Sequence, residues 1–342
     1  MKLVTFVPKA AWQRRIGAVI DKNRIVDLNA GYALYSSDSE RESRPLAVAD
    51  AFMPSDMIEF LEGGMSTLGR MNAMMDFITS HFQEGRQILD PAGRKVVYEM
   101  NEVTLKAPIP RPPGIGIGFF NDRGIIEEAA REKERARGDK VEGLKTEIVY
   151  PKKAAILWGH PSCVIGPDEP IIYPRICAER GPNVFNGIEL GIIVGKRAYR
   201  VPLERAREHI AGYTVTTDIT AYDLVAEESA LYSLTRCKDM PTFWPIGPWI
   251  VSEDELGDPN RLNATVRING KIAMTANTRQ HIFSPYEYIR DLSEYMVLEP
   301  GTVIAMGSFS GTTYTFIKPG DIVENEIENI GVLRNPVVAG TE

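Results

Sequence analysis

Residues 186–196 read NGIELGIIVGK. The run ELGIIVG reads as a strand headed for the interior, yet it opens on a carboxylate, Glu189. A buried, unpaired carboxylate is costly, so Glu189 must be protonated, paired with a cation or bound to a metal. A second run poses the same problem: AGYTVTTDITAYDL carries Asp218 in mid-strand. Two strands that each turn one carboxylate inward can converge on a divalent cation, for which oxygen ligands suit Mg²⁺, Mn²⁺ or Ca²⁺. Spacing alone leaves equally open that each carboxylate meets a lysine or arginine, or caps a turn.

The same pattern of short β runs extends outward from this stretch. AAILWG, CVIG, IIYP, YTVTTDIT, WIVS, ATVRING and TVIAMGS are separated by Pro and Gly, with PLERAREHI and PYEYIRDLSEYM the clearest helices beyond residue 155. So many strands with so few helices argue against a doubly wound parallel sheet and predict a β-rich, rolled mixed sheet of the α+β class. Upstream, KLVTFV, RIGAVI and RIVDL form a strand series with DKN as a hairpin turn. Leu68, Met71, Met75 and Ile78 recur at helical spacing. The proline-rich stretch 103–120 reads as a linker, dividing a small N-terminal α/β domain (1–105) from a larger domain (106–342). GIIEEAAREKERARGDK, strongly charged, reads as a solvated helix.

Composition bounds the function. The chain has 342 residues, 44% of them hydrophobic, with a formal net charge of −7 and no basic run, which argues against nucleic acid as a partner. No stretch approaches the roughly 20 apolar residues of a membrane span. The N-terminus lacks the pattern of a signal peptide, and Cys163, Cys177 and Cys237 show no CxxC pairing, so a cytoplasmic protein with reduced thiols is expected. The four histidines form no zinc pattern. Lys238 precedes the aromatic, proline-rich TFWPIGPW, a setting in which a lysine can bind a substrate carboxylate or stabilise an enolate.

Taken together, IELGIIVGKRAYRV, AGYTVTTDITAYDL, TRCKDMPTFWPIGPWIV, NTRQHIFSPYEYIRDLSEYMVLEPGTVIAMG and IKPGDIVENEIENIGVLRNPVV resemble the fumarylacetoacetate hydrolase family, and KLVTFV…RIGAVI…RIVDL resembles the small N-terminal domain of its bacterial, acylpyruvase-like members. The resemblance implies a mixed β-roll, a homodimer, and Mg²⁺- or Mn²⁺-dependent hydrolysis of a C–C bond in acylpyruvates or related 1,3-dicarbonyls from ring-compound catabolism. Some relatives decarboxylate, isomerise or hydrate keto acids instead. Carried over by position, it makes Asp122, Glu189 and Asp218 metal ligands and Lys238 the active-site lysine. Two departures stand out. Gly187 occupies the place of a further glutamate ligand, and the lid segment FFNDRGIIEEAAREK has no histidine to activate water. Glu127 or Glu128 then takes the lid glutamate's place, and His160 is the substitute base to be tested. Tyr222 stands where relatives carry arginine and Ser308 where they carry threonine, both as substrate-contacting positions.

Overall fold

The computed structural model describes residues 1–81, 87–137, 148–180, 183–229, 233–311 and 315–340. Its centre is the antiparallel pair Val184–Val194 and Ile210–Ala221. Every residue of the first strand is buried, as the apolar run predicts. Side chains alternate across it. Ile188, Leu190 and Ile192 point with Val215 and Ile219 into the largest hydrophobic core. The other face carries Phe185, Gly187 and Glu189, set opposite Thr220, Asp218 and Thr216. One strand pair thus supplies a core with one face and a polar site with the other.

Among the described residues these strands lie inside a 13-stranded mixed sheet, beside a second sheet of five strands built on the antiparallel ladder Asn263–Ile268, Ile322–Ile327 and Gly331–Ala339. The architecture is α+β, and the rolled mixed-sheet expectation holds. No described helix is long and apolar enough to cross a membrane. The first strand, Lys2–Pro8, hydrogen-bonds along Trp244–Val251, so the N-terminal strands extend the same large sheet. A shared core joins Val26, Leu28, Met57 and Met71 to Ile193, Ile246, Ile250 and Val303. The expected boundary at 105/106 falls inside strand Val103–Lys106, which pairs with the first strand, and ahead of Ile115–Gly118, which pairs in parallel with Val303–Ala305.

The methionine-rich helix runs Gly64–His81. Thr67, Met71, Met74 and Ile78 are buried there, whereas Leu68 is exposed and Met75 half-buried, so the stripe keeps Met71 and Ile78 of the expected positions and takes Thr67 and Met74 in place of the other two. The charged helix expected after residue 123 spans Arg123–Arg137. The three cysteines are buried, and none forms a disulfide among the described residues.

Candidate functional site

The register of the central pair builds the site. Asp218 lies directly across from Gly187, which makes it the diagonal neighbour of Glu189 on one sheet face. Both carboxylates line a cavity of about 160 Å³ together with Lys238, Ser308 and several apolar side chains. Lys238 arrives on a short helical turn, Thr235–Lys238, and is buried. Its Nζ donates to Asp218 Oδ2 and, at 3.0 Å, to Thr220 Oγ1; Thr220 in turn donates to Asp218 Oδ1 at 3.1 Å. The alternation that turns Asp218 inward also turns Thr220 inward, two residues on.

Glu189 has a different shell. Its Oε2 accepts the Gly307 N–H at 2.7 Å and its Oε1 accepts the Ser308 hydroxyl at 2.9 Å. Gly307 has φ +96°, a left-handed conformation that suits glycine and aims its N–H at the carboxylate. Burial, then repulsion from Asp218, pushes the Glu189 carboxyl up to about 8, against the pull of these two hydrogen bonds and of Lys238. Lys238 is bonded to Asp218, so among the described residues Glu189 has no cation of its own.

That deficit is the test of a metal. Among the described residues, no three of His, Cys, Asp or Glu come together as a closed metal cage. Glu189 and Asp218 are two hard oxygen donors on one cavity wall. They fit a cation such as Mg²⁺ or Mn²⁺, which is held by one or two carboxylates and completes its shell with water and substrate oxygens. No third carboxylate stands beside them at Gly187.

The structure separates the remaining expected residues from this cavity. Asp122 is fully buried, but its Oδ1 accepts the backbone N–H groups of Ile125 (3.1 Å) and Ser310 (3.2 Å); it caps the helix that begins at Arg123 and ties it to the loop following Ser308. Its Oδ2 is buried without a partner, burial pushes its carboxyl up, and it does not line the cavity. His160 is exposed. Its Nδ1 lies 2.6 Å from Ser162 Oγ and accepts the Ser162 N–H in a tight turn, so it is a surface cap and not a base for this cavity. Glu127 accepts from Tyr150 at 3.2 Å, Glu128 is half-buried, and neither lines the cavity. Tyr222 is half-exposed, with its ring 5.8 Å from that of Phe185, a wall residue.

Sequence reasoning passed over Asn121 and His281. Asn121 Nδ2 donates to Met306 O at 2.8 Å and its Oδ1 accepts the Phe283 N–H at 2.8 Å, fixing the backbone just before Gly307. A buried asparagine in a loop has no periodicity to betray it. His281 bridges Asp122 through the backbone and stacks on Phe309 at 4.8 Å; burial pushes its imidazole down to about 4, so it is neutral.

A buried lysine–carboxylate pair thus stands beside a second carboxylate on one face of a large mixed sheet. The profile of the fumarylacetoacetate (FAA) hydrolase C-terminal region matches residues 127–338, and the chain belongs to the fumarylacetoacetate hydrolase family. A mitochondrial oxaloacetate tautomerase of Bos taurus is 30% identical over 291 residues, 84% of this chain and 81% of that protein. Its Xenopus laevis counterpart is 28% identical over 99% of this chain and 90% of its own. An uncharacterized Pyrococcus horikoshii protein is 42% identical over 65% of this chain and 92% of its own. Maleylpyruvate hydrolase from Sphingobium sp. SYK-6, solved with manganese(II) and pyruvate, has the same fold, with a TM-score of 0.69, 22% identity and complete coverage of both chains.

Proposed function

We propose that this protein catalyses proton transfer next to the carbonyl of a 2-oxo acid, a keto–enol tautomerisation or isomerisation, with a divalent cation held by Glu189 and Asp218. The observation that carries this reading is the buried network of Lys238, Asp218 and Thr220 in a cavity that, among its described lining residues, has no histidine and no lid glutamate. Hydrolysis of a C–C bond needs an activated water. Tautomerisation needs only enolate stabilisation and a proton carrier. The oxaloacetate tautomerases at 28–30% identity support the reaction type, not their own dicarboxylate substrate, and the manganese–pyruvate complex of a protein of this fold supports the cation and the 2-oxo acid head.

A cation on the two carboxylates would supply Lewis-acid polarisation of the adjacent carboxylate and carbonyl oxygens. The chain's own groups do the rest. Glu189 is fixed by Gly307 N–H and Ser308 Oγ, so its oxygens need no reorganisation. Two N–H donors of Lys238 are committed to Asp218 and Thr220, leaving a third for substrate. In the enol-to-keto direction, Lys238 Nζ delivers a proton to C3 and the proton given up by the enol oxygen restores it. One O–H bond breaks, one C–H bond forms, and the mass is unchanged.

Proton exchange at C3 of 2-oxo acids in D₂O with Mg²⁺, followed by NMR, tests the reading. Exchange accelerated by wild type and lost in Lys238→Met is the expected result. Two fragments from an acylpyruvate, without accelerated exchange, would replace it with hydrolysis.

A further inference from the structure

The cavity around the two carboxylates has, beyond its polar side, a mostly apolar described lining. Phe119, Phe120, Phe185, Phe309, Ile117 and Ile125 line it, and Lys238 is the one cation among its described lining residues. That cation is already bound to Asp218. From these facts we infer that the substrate is a 2-oxo acid whose far end is uncharged and apolar, aryl or branched alkyl, and that a second carboxylate at that end is rejected. The inference rests on the 2-oxo acid reading above and narrows it.

The walls are placed for this. Phe185 follows from the strand register: it shares a face with Glu189 four residues on, so its ring stands beside the polar wall. Phe119 and Phe120 pack edge to face, 4.8 Å between centroids. Phe120 keeps a left-handed backbone, φ +50°, and leaves 51% of its surface exposed, which is unusual for a large apolar side chain not in a turn of glycine or asparagine. Tyr222 extends the aromatic surface from Phe185 outward. Rings in these positions offer dispersion and edge-to-face contacts to an aryl or alkyl arm. A carboxylate there would lose its water against apolar walls, and the one cation among the described lining residues is already paired with Asp218. Discrimination against a charged group is the kind of selectivity that apolar walls provide well, because the penalty is desolvation and not shape.

The test uses phenylpyruvate and 2-oxoglutarate, which share the 2-oxo acid head and differ at the far end. Their binding to the full chain with Mg²⁺ is measured by calorimetry, and their C3 exchange in D₂O by NMR, on wild type and on Phe120→Arg. Phe120 is half-exposed, so the arginine variant is compatible with folding; Phe185→Arg, in the wall itself, serves as the second variant. Phenylpyruvate is expected to bind at least tenfold tighter to wild type and to exchange faster. Phe120→Arg should narrow that gap at least fivefold. Equal affinities, or tighter 2-oxoglutarate, with exchange intact would overturn the apolar-arm inference and leave the tautomerase reading standing. Preference for phenylpyruvate with no exchange would keep the inference and remove the reading. Absence of binding by either acid at millimolar concentration would remove both.

Discussion

Lys238 and Asp218 form a buried ion pair, each with no more than a tenth of its side chain exposed, and Thr220 bonds to both partners. Breaking such a pair from one side strands a charge and typically costs about 3–5 kcal/mol, whereas replacing both partners with apolar groups of similar volume is far milder. Lys238→Met is therefore expected to lower unfolding free energy by about 3 kcal/mol and to abolish C3 exchange. The double variant Lys238→Met/Asp218→Leu should regain most of that stability and none of the activity. Urea denaturation of the three proteins checks this. Additive losses in the double variant would show that the two side chains do not act as a pair.

Glu189 sets the pH dependence of cation binding. Its carboxyl titrates near 8 in the metal-free protein, above its ordinary value, because burial and Asp218 disfavour the charge. At pH 7 it carries a proton that a cation must displace. Mg²⁺ or Mn²⁺ affinity should thus rise with pH up to about 8 and level off beyond, and binding at pH 7 should release close to one proton. Calorimetry in buffers of different ionisation enthalpy measures that release. A Glu189→Gln variant should bind no cation and should be no less stable than metal-free wild type at high pH. The sign follows from the raised value: ionisation of Glu189 disfavours the fold increasingly as pH climbs from its unfolded value toward 8.

Much of this site is legible in the sequence because the strand period fixes it. Once ELGIIVG and YTVTTDIT are read as paired buried strands, Glu189 and Asp218 must share a face or be stranded in a core, and the register of Gly187 against Asp218 realises the first case. Lys238 is legible only through its aromatic, proline-rich context. Neighbouring Asp239 goes instead to the backbone N–H of His160 and the indole of Trp244. Asp122 and His160 illustrate what a sequence hides. Both sit beside turn-forming residues, and local hydrogen bonds to Ile125 and Ser162 claim side chains that motif position alone had assigned to chemistry. Phe119 and Phe120 read as linker and prove to be wall, because parallel pairing of Ile115–Gly118 with Val303–Ala305 brings them beside Gly307.

His281 predicts acid sensitivity. Its imidazole is held neutral, down to about 4, by burial against Phe309. A group lowered in the folded state binds its proton more readily when unfolded. Its contribution is intact above about pH 6.5 and is lost as pH falls toward 4. Wild type should lose on the order of 2 kcal/mol more than His281→Phe between pH 7 and pH 4.5, read from denaturant midpoints at the two values. Parallel losses in both proteins would place the acid sensitivity elsewhere.

Asp122 distinguishes a cap from a ligand. Its Oδ1 holds the first turn of Arg123–Arg137 and the Ser310 N–H, two bonds that an asparagine carbonyl can also accept. Its buried Oδ2 has no partner, and burial penalises the charge. Neutralising it while keeping the acceptor should therefore cost nothing. Asp122→Asn is expected to match or slightly exceed wild-type stability, whereas Asp122→Ala should lose about 1–2 kcal/mol with the cap. Mg²⁺ affinity measured on Asp122→Asn should stay within twofold of wild type, because Glu189 and Asp218 supply the protein oxygens at the cavity. A large fall in affinity with stability unchanged would instead make Asp122 a third ligand, turning from the helix it caps toward the cation through its unpartnered oxygen.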